Sequence, residues 1–581
     1  MSVAGNPTSS DHSGGPTGGN TVNVPGANHA GGDRWFVATC IVVGLLAIIA
    51  FRAAFSAYFL LDDFGMLAIA RFVSNPFGSF VHDQFPGGLY YRPVGMLVWW
   101  FSERTFGAIP FGHYCLNLVL HCSVAVALGS LIQRFFGNRW LSLFVAACFV
   151  LHPIGIGTTL WLSDRFDLLA LLFGLLGLHA ALRFSRIGST RSLWVALAFF
   201  SLSLLSKEIA LACFAGAGIL LLGATNGDSP ARRVRNCLYL VALAAIYLIA
   251  RTLILESINA QSLYSTAPLR TLLVDGIAHW LTGWRDYFFF WPRLDGWKKL
   301  LSISSTVLIA ALVIASMRRS WTASRRQALL VGVAILLSSS LLQWPLLSHF
   351  SVALNKSGSV VETVVNTRYF YTSLAGFLIA LAALVSPMAA SKLGRQWLGV
   401  AALGLLIPWF AGSQALARAH SKETQRIEAI VKAANAAIGT LDLPEKGCQI
   451  YLLDTTEWSL GWISDEAIKA TFPNLERIAG CLIQTEHTPW YHIAVMKSVD
   501  VEDLQPMTLV KGAVRETAIR PVGRAKFLKL SLDMHSEVPK GSKARFLSWQ
   551  GSDFIDVTGD VLSGRRKPAF ACNLPEINCS H

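Results

Sequence analysis

The sequence predicts an all-α polytopic membrane protein with an α/β or α+β domain at its carboxyl end. Of the 581 residues, 53% are hydrophobic and 14% are charged. That composition is more apolar than in ordinary soluble domains. Apolar runs of roughly 18 residues or more recur through the first two thirds of the chain, as transmembrane helices require. Shorter, strand-like runs follow, which predict the separate terminal domain.

Eleven apolar runs are predicted to cross the membrane, and we interpret the first as a retained span. Residues 1–33 are rich in Gly, Ser, Thr, Asn and Pro, and predict a disordered cytoplasmic tail. The run that follows is too long for a signal-peptide core and lacks a convincing cleavage site. The predicted spans lie near residues 35–60, 113–133, 140–160, 167–184, 192–205, 209–224, 236–254, 300–317, 328–347, 370–386 and 397–412.

The basic residues predict the orientation of these spans. They cluster in short loops of one parity, for example Arg134 with Arg139, and Arg318 with Arg319. By the positive-inside rule these loops are cytoplasmic, so the amino end lies inside and the carboxyl end outside. The net charge of +14 therefore reflects topology, and we expect no nucleic-acid partner.

The predicted domains are the tail, a membrane module at 34–412 and an extracytoplasmic domain at 413–581. Ser421 is expected to cap a helix with apolar residues at helical spacing. Strands are expected at Gln449–Leu453, Tyr491–Met496 and Phe527–Leu532.

The cysteines of the terminal domain indicate disulfides. Four cysteines lie there, and an even number in an outward domain allows pairing. The preferred pairs are Cys448–Cys481 and Cys572–Cys579. No CxxC or His/Cys spacing indicates zinc, so no metal ligands are assigned.

The candidate catalytic residues are Asp62 and Asp63, which directly follow the first apolar run. Carboxylates are costly in hydrocarbon, so the pair should lie at or just beyond the interface. A carboxylate there could act as general base on an acceptor hydroxyl, whose own pKa is too high for unaided attack. Asp62 is slightly favoured over Asp63.

Further polar residues fall in the same outward loops, where a bundle could gather them around one cavity. A sugar donor on a polyprenyl phosphate leaves charge on its phosphate when the bond breaks, and Arg or Lys would stabilise that charge. The candidates for the phosphate are Arg92, Arg165, Lys207 and Arg368, and the supporting residues are Tyr91, Asp164, Asp167, Glu208 and Tyr369.

Each of these residues also has a structural alternative. Asp164 and Asp167 are spaced like an N-cap and an N3 residue, and Ser206 could cap a helix with Glu208 in its first turn. The cations could contact lipid headgroups or snorkel to the interface. His113, Asn117 and His121 recur on one helical face, where interhelical hydrogen bonds are favoured over a metal site.

The order and spacing of these residues carry a resemblance to a known family. The stretches are Leu61-Asp62-Asp63, Tyr91-Arg92-Pro93, His113 with Asn117 and His121, His152-Pro153 followed by Arg165 and Asp167, Leu205-Ser206-Lys207-Glu208, and Arg368-Tyr369-Phe370-Tyr371. The chain resembles the GT-C glycosyltransferases, and within them bacterial relatives of the transmembrane and tetratricopeptide-repeat protein mannosyltransferases. The resemblance covers the membrane half, to about residue 380.

The resemblance implies an inverting hexosyltransferase that uses a lipid-phosphate sugar, with an acidic residue of the first outward loop as catalyst. The chain departs from the family in three places. Gly157 stands where the family usually has glutamate, Thr372 where it often has proline, and residues 413–581 replace the repeats. No cofactor is expected to be required; metal use varies within the family, and nothing here indicates a divalent ion.

We therefore expect a multi-pass enzyme of a bacterial inner membrane, with a periplasmic terminal domain. Its expected partners are a polyprenyl-phosphate sugar donor, membrane lipids and an unidentified extracytoplasmic acceptor of the cell envelope. Two alternatives stay open: a transporter or flippase of lipid-linked sugars, and a non-enzymatic envelope assembly protein. A transporter would place charges near the midplane and break helices at corresponding places in two halves; Arg251 is the one deep charge candidate.

Overall fold

The computed structural model describes residues 29–73, 75–81, 90–255, 269–290, 293–354, 364, 366–443, 448–455, 458–485, 491–496, 515–522, 525–531 and 543–568. The predicted tail therefore lies almost wholly outside the described residues. The helices are α1 His29–Ala50, α2 Asp62–Phe72, α3 Pro93–Phe106, α4 Pro110–Phe136, α5 Arg139–Leu151, α6 Gly155–Leu160, α7 Arg165–Ile187, α8 Thr190–Leu204, α9 Leu211–Leu222, α10 Pro230–Leu255, α11 Leu269–Gly283, α12 Gly296–Met317, α13 Ala323–Leu354, α14 Tyr371–Ala390, α15 Lys392–Thr440, α16 Trp458–Thr471, α17 Leu475–Ile478 and α18 Thr558–Leu562.

Within the described residues, seven helices are long and apolar enough to cross a membrane. They are Pro110–Phe136, Leu162–Ile187, Pro230–Leu255, Gly296–Met317, Ala323–Trp344, Arg368–Ala390 and Lys392–Thr440. Shorter apolar helices lie at Arg34–Ala50, Arg139–Leu151, Thr190–Leu204 and Glu208–Leu222. Each of the eleven predicted runs overlaps one of these helices, but two of the helices end well before the spans predicted for them. The helix in the run at 35–60 ends at Ala50, and the helix in the run at 140–160 ends at Leu151. The prediction of a polytopic helical membrane protein is confirmed, and the direction of insertion stays a prediction.

Small residues let the helices of the bundle approach closely. A Cβ added at Gly332 of α13 would lie 2.6 Å from the carbonyl oxygen of Gly376 of α14. A Cβ added at Gly376 would lie 2.8 Å from the carbonyl oxygen of Gly332. Glycine at both positions therefore permits backbone contact between α13 and α14, the arrangement by which membrane helices gain van der Waals packing.

The last apolar helix does not end where the sequence predicted. Helix α15 continues unbroken through residue 412 to Thr440, so the membrane module and the terminal domain share it. The sequence predicted that Ser421 caps a helix, and this prediction is wrong, because Ser421 lies in the middle of α15. Its hydroxyl instead lies 3.1 Å from that of Ser56, and the neighbouring Thr424 hydroxyl accepts a hydrogen bond from the backbone of Tyr58. These contacts dock α15 against the segment that leads to Asp62.

The terminal domain contains two sheets among its described residues. The strands are β1 Cys448–Leu453, β2 Cys481–Thr485, β3 Tyr491–Met496, β4 Arg515–Val522, β5 Ala525–Ser531, β6 Arg545–Trp549 and β7 Phe554–Asp556. One sheet has the order β2-β1-β6-β7, with β1 parallel to both β2 and β6 and with β7 antiparallel. The other is antiparallel, with the order β3-β5-β4. All three predicted strands are present, so the expected mixed domain is confirmed.

The disulfide between Cys448 and Cys481 is also confirmed, and it joins facing residues of β1 and β2. The predicted pair Cys572–Cys579 lies outside the described residues. The domain also contacts the membrane half directly. Arg71 of α2 donates to the carbonyl oxygens at the end of α16, with Phe472 at 2.8 Å. The hydrogen bonds from the Arg71 guanidinium therefore hold the terminal domain beside α2, the helix that begins with Asp62.

Candidate active site

Asp62 and Asp63 form the first turn of α2, behind a strained residue. Leu61 adopts a φ of +48°, a value that bulky side chains rarely take. Residues held in such conformations concentrate at functional sites. The chain turns at Leu61 out of the extended segment and into α2. Successive residues of a helix project about 100° apart, so the two carboxylates point in different directions.

Asp63 is fully buried and its oxygens are occupied. Oδ1 accepts hydrogen bonds from the backbone N–H of Ser163 at 2.6 Å and from its hydroxyl at 2.8 Å. Oδ2 accepts from the backbone N–H of Leu60 at 3.0 Å. Burial raises the pKa of Asp63 to about 7, although these three donors lower it. Asp63 therefore ties α2 to the loop before α7 and does not face a substrate.

Asp62, by contrast, is exposed, yet protein surrounds it closely. Desolvation raises the pKa of its carboxyl group, while the positive charges of Arg368 and Arg92 lower it. Because Asp62 is exposed and Asp63 is buried, desolvation acts less strongly on Asp62. The carboxylate of Asp62 is thus accessible and lies within the field of two guanidinium groups.

Arg92 is held by a carboxylate from a distant loop. Its Nη2 donates to Oε1 of Glu208 at 2.7 Å, and its Nε donates to Oε2 at 3.4 Å. The guanidinium also lies 4.3 Å from the ring centroid of Tyr90. This forked pair fixes Arg92. Glu208 lies in a first helical turn, as the structural alternative expected, and is also held in this ion pair. Ser206 is not the cap of that turn, because its hydroxyl donates to the carbonyl oxygen of Leu202 and the residue after it occupies the cap position.

Lys207 pairs with two buried carboxylates at the start of α7. Its ammonium forms ion pairs with Asp164, at 3.2 Å, and with Asp167. The side chains of Asp164 and Asp167 are 3% and 1% exposed, whereas that of Lys207 is 15% exposed. Asp164 makes no side-chain hydrogen bond as an N-cap, so the capping alternative does not account for it. The predicted convergence of Asp164, Asp167 and Lys207 is observed.

Arg368 has the most available guanidinium of the cluster. It stacks 4.0 Å from the Trp161 ring centroid, and its Nη2 donates to the Tyr369 hydroxyl at 2.8 Å. Its Nη1 is buried without a hydrogen-bond partner in the described part of the protein. Asp62 and Asp164 lie within its electrostatic range. A cation that keeps a free donor beside Asp62 is suited to bind an anion.

Glycine at position 157 allows the segment that carries Arg368 to pack closely against α6. A Cβ at this position would lie 2.2 Å from the carbonyl oxygen of Val364 and 2.9 Å from the backbone nitrogen of Arg368. The backbone N–H of Gly157 donates to the Thr367 hydroxyl at 3.0 Å. The glutamate usual at this position in the family that the sequence resembles does not fit this packing. Glycine at position 157 therefore allows the segment that carries Arg368 to lie against α6.

Arg165, a predicted phosphate ligand, lies in the interior of the bundle. It is fully buried, stacks 4.3 Å from the ring centroid of Trp99, and donates to Asn117 at 2.7 Å and to Ser102 at 2.8 Å. These contacts join α3, α4 and α7, while its Nη2 is buried without a hydrogen-bond partner in the described structure, so its role toward a phosphate stays a prediction. Tyr91 is likewise buried and donates to the carbonyl oxygen of Phe80 at 3.1 Å.

The polar residues of α4 are structural, as favoured from the sequence. Asn117 bonds Arg165 of α7, and His121 lies 2.8 Å from the Tyr371 hydroxyl of α14. His113 instead bonds the carbonyl oxygen of Gly107 in the preceding loop, at 2.9 Å. His152 is bonded to the carbonyl oxygen of Phe288 at 2.8 Å. These side chains satisfy buried polar groups between helices.

Sequence reasoning missed several residues of the cluster. Tyr90 stacks on the guanidinium of Arg92, and Trp161 stacks on that of Arg368. The Ser163 hydroxyl donates a hydrogen bond to the Asp63 carboxylate. Glu466 of α16 lies within electrostatic range of Asp62, and burial raises the pKa of Glu466 well above its usual range. Tyr90 and Ser163 adjoin predicted residues and could have been found. Nothing in the sequence indicates that Glu466, some 400 positions from Asp62, would approach it.

The described part of the chain contains no group of three or more His, Cys, Asp or Glu side chains that could hold a metal ion. The arrangement nevertheless has clear chemical capacity. An accessible carboxylate can take a proton, and adjacent fixed cations can stabilise an anion that forms beside it.

The fold and this cluster define the class: a polytopic helical membrane protein whose loops of one parity gather acidic and basic side chains at one end of the bundle. No protein-family model matches the chain. A curated relative, the Homo sapiens protein O-mannosyl-transferase TMTC1, is 33% identical over 87 residues. That match covers 15% of this chain and 10% of the human protein. It agrees with the resemblance drawn from the sequence motifs.

Two solved structures of ArnT from Cupriavidus metallidurans are also similar in fold. One is bound to undecaprenyl phosphate and the other is in the apo state. Each is 14% identical to this chain, and each alignment covers 86% of this chain and 98% of the ArnT chain. The TM-scores are 0.38 and 0.35, values too low to transfer any property of ArnT to this protein.

Proposed function

We propose that this protein is an inverting glycosyltransferase that moves a sugar from a polyprenyl-phosphate donor to a hydroxyl acceptor outside the cytoplasm. The observation that carries the proposal is the environment of Asp62. Asp62 is exposed and lies within electrostatic range of Arg92 and Arg368, whereas the adjacent Asp63 is buried and accepts three hydrogen bonds. The sequence resemblance and the name of the curated relative, a protein O-mannosyl-transferase, support a sugar transfer.

The reaction is one displacement. The acceptor hydroxyl gives its proton to the Asp62 carboxylate, and the acceptor oxygen forms a bond to the anomeric carbon. The bond between that carbon and the phosphate oxygen breaks, and the polyprenyl phosphate departs with the electron pair. A single attack inverts the anomeric centre and needs no covalent intermediate.

The raised pKa of Asp62 serves this role, because a carboxylate with a higher pKa is the stronger base. Arg368 is the proposed ligand of the leaving phosphate, since its Nη1 donor is free of protein partners in the described structure. Lys207, a further candidate, lies within electrostatic range of Arg368 and is paired with Asp164 and Asp167. The positive charge of Arg368 opposes the negative charge that develops on the phosphate.

The membrane location suits this donor, whose lipid stays in the bilayer while its sugar lies at the interface. We place the protein in a bacterial inner membrane with the terminal domain in the periplasm, on the positive-inside pattern. The acceptor would approach from that side. Helix α16 packs beside α2 and brings Glu466 into electrostatic range of Asp62, so the terminal domain forms the proposed wall of the acceptor entrance.

The test is a transfer assay with the full chain in lipid nanodiscs. Polyprenyl-phosphate hexoses with labelled mannose, glucose or galactose are supplied together with envelope extract from a deletion strain. Wild-type protein should move the label and release polyprenyl phosphate. Asp62→Asn should lower the rate by about 10²–10⁴-fold, as loss of a general base does.

Asp295→Asn is the matched control, because the Asp295 side chain is 93% exposed and lies before α12. It makes the same chemical change away from the cluster and should keep the wild-type rate. Transfer at the wild-type rate by Asp62→Asn, or no transfer of any of the three sugars by wild-type protein, would contradict the proposal.

A further inference from the structure

A long cavity follows the helical bundle. It has a volume of about 1560 Å³ and runs between α1 on one side and α4, α7 and α8 on the other. Its lining follows α4 from Cys115 to Arg134, roughly 28 Å at the helical rise per residue. This length approaches the hydrocarbon thickness of a bilayer, and none of the proposed catalytic residues lines it.

One end of this groove is strongly basic. Arg134, Arg139, Arg183 and Arg191 line it, and no Asp or Glu does. None of the four arginines forms an ion pair within the described part of the chain. Arg134 and Arg183 lie within electrostatic range of each other. Like charges held together without a counter-charge favour a bound anion.

Three buried polar atoms at the same end have no hydrogen-bond partner within the described structure. They are Oε1 of Gln133, Nδ1 of His179 and Nε1 of Trp35. The Nε2 of His179 lies 2.9 Å from the carbonyl oxygen of Ala127, so Nε2 carries the proton and Nδ1 accepts. Gln133 and His179 therefore offer two acceptors, and Trp35 offers one donor. A ligand with hydroxyl groups beside its anion would satisfy them.

The remainder of the groove is lined mainly by apolar residues, and several of them are small. Gly44 of α1 has no neighbouring atom within 4 Å of an added Cβ, so its side faces open space. Cys115, Cys122 and Ala127 of α4 line the facing wall. These residues suit hydrocarbon chains.

We propose that this groove binds an anionic, two-chain glycerophospholipid whose head group carries hydroxyls, as in phosphatidylglycerol. The phosphate lies between Arg134 and Arg183, and head-group hydroxyls donate to Gln133 and His179. The basic end belongs to the loops predicted to be cytoplasmic, so the lipid comes from the inner leaflet. The basic end lies roughly 25 Å along α4 from Asn117, which bonds Arg165 of the polar cluster. The other end of the groove begins at Cys115, close to Asn117, but none of the proposed catalytic residues lines it. The head-group site is therefore distinct from the proposed donor site.

The test measures lipid retained by the purified full chain, using native mass spectrometry after exchange into detergent with defined phospholipids. Equal amounts of phosphatidylglycerol and phosphatidylcholine are supplied. Wild-type protein should retain phosphatidylglycerol preferentially. The double variant Arg134→Gln, Arg183→Gln should retain about tenfold less, because two attractive charges are lost.

The matched control is Arg318→Gln, Arg319→Gln. It removes two exposed arginines from another loop on the same predicted face, outside the groove. It should retain phosphatidylglycerol as wild type does. Equal losses in the two double variants would overturn the proposal, since retention would then follow net charge alone.

A second pair of variants tests the apolar part without changing charge. Gly44→Phe should fill the groove and expel the lipid. Gly399→Phe on α15 also enters open space but lies outside the groove, and should leave retention unchanged. Equal retention of phosphatidylcholine, or displacement of phosphatidylglycerol by stoichiometric polyprenyl phosphate, would also overturn the assignment.

Discussion

The carboxylates of Asp62 and Asp63 are adjacent in the chain but occupy opposite environments. Asp63 is buried and accepts three hydrogen bonds from Leu60 and Ser163. Asp62 is exposed and faces the charges of Arg92 and Arg368. The pair therefore divides into one structural and one accessible carboxylate.

The first prediction separates the roles of this pair. Asp63→Asn places amide hydrogens where donors already point, so it should destabilise the protein by about 1–3 kcal/mol. Its transfer rate per folded molecule should stay within about tenfold of wild type. Asp62→Asn should give the reverse, with unchanged thermal stability and lost transfer. Thermal unfolding and transfer rates of the two variants check this, and a larger activity loss in Asp63→Asn would reverse the assignment.

The second prediction concerns pH. Asp62 must be deprotonated to accept a proton, and its pKa is raised above the ordinary value of 3.8. The transfer rate should therefore fall as the pH drops through that raised pKa, at a higher pH than for an ordinary aspartate. A profile of the rate from pH 4 to 8 measures the acidic limb. In Asp62→Asn the residual rate should lack this limb; an unchanged limb there would show that another group titrates.

The third prediction concerns Lys207. Its removal in Lys207→Gln leaves Asp164 and Asp167 buried without their counter-charge, so stability should fall by about 3–5 kcal/mol. Adding Asp167→Asn to this variant should restore part of the loss. Lys298→Gln is the control, because Lys298 pairs at 3.8 Å with an exposed aspartate and should cost less than about 1 kcal/mol. Thermal unfolding of the three variants gives the comparison, and similar losses for Lys207→Gln and Lys298→Gln would refute it.

The fourth prediction concerns Gly157. A Cβ there meets backbone atoms of the segment that carries Arg368, so Gly157→Ala should destabilise by about 1–3 kcal/mol and lower transfer as Arg368 shifts. Gly218→Ala, in a helix where an added Cβ meets no atom, should be neutral or slightly stabilising. Unfolding and transfer measurements distinguish them; a fully active, stable Gly157→Ala would show that the contact yields freely.

Much of the fold could be read from the sequence because the signals are local. Hydropathy over a window marks a helix that can enter lipid, and alternating apolar residues mark a strand. The strand Tyr491–Met496 was predicted in this way. The Cys448–Cys481 bridge was predicted from the even number of cysteines in the terminal domain. The end of α15 was not, since nothing in its own residues reveals that the terminal domain packs on its continuation.

The site divides along the same line. The sequence by itself determined which charged side chains lie in loops of one parity, because ions avoid hydrocarbon and so collect at its boundary. Only the tertiary structure decided that Arg165 is fully buried against Asn117 and Ser102 while Arg368 is partly exposed. Whether a charge can meet a ligand depends on which neighbours cover it, and those neighbours come from helices far apart in the chain.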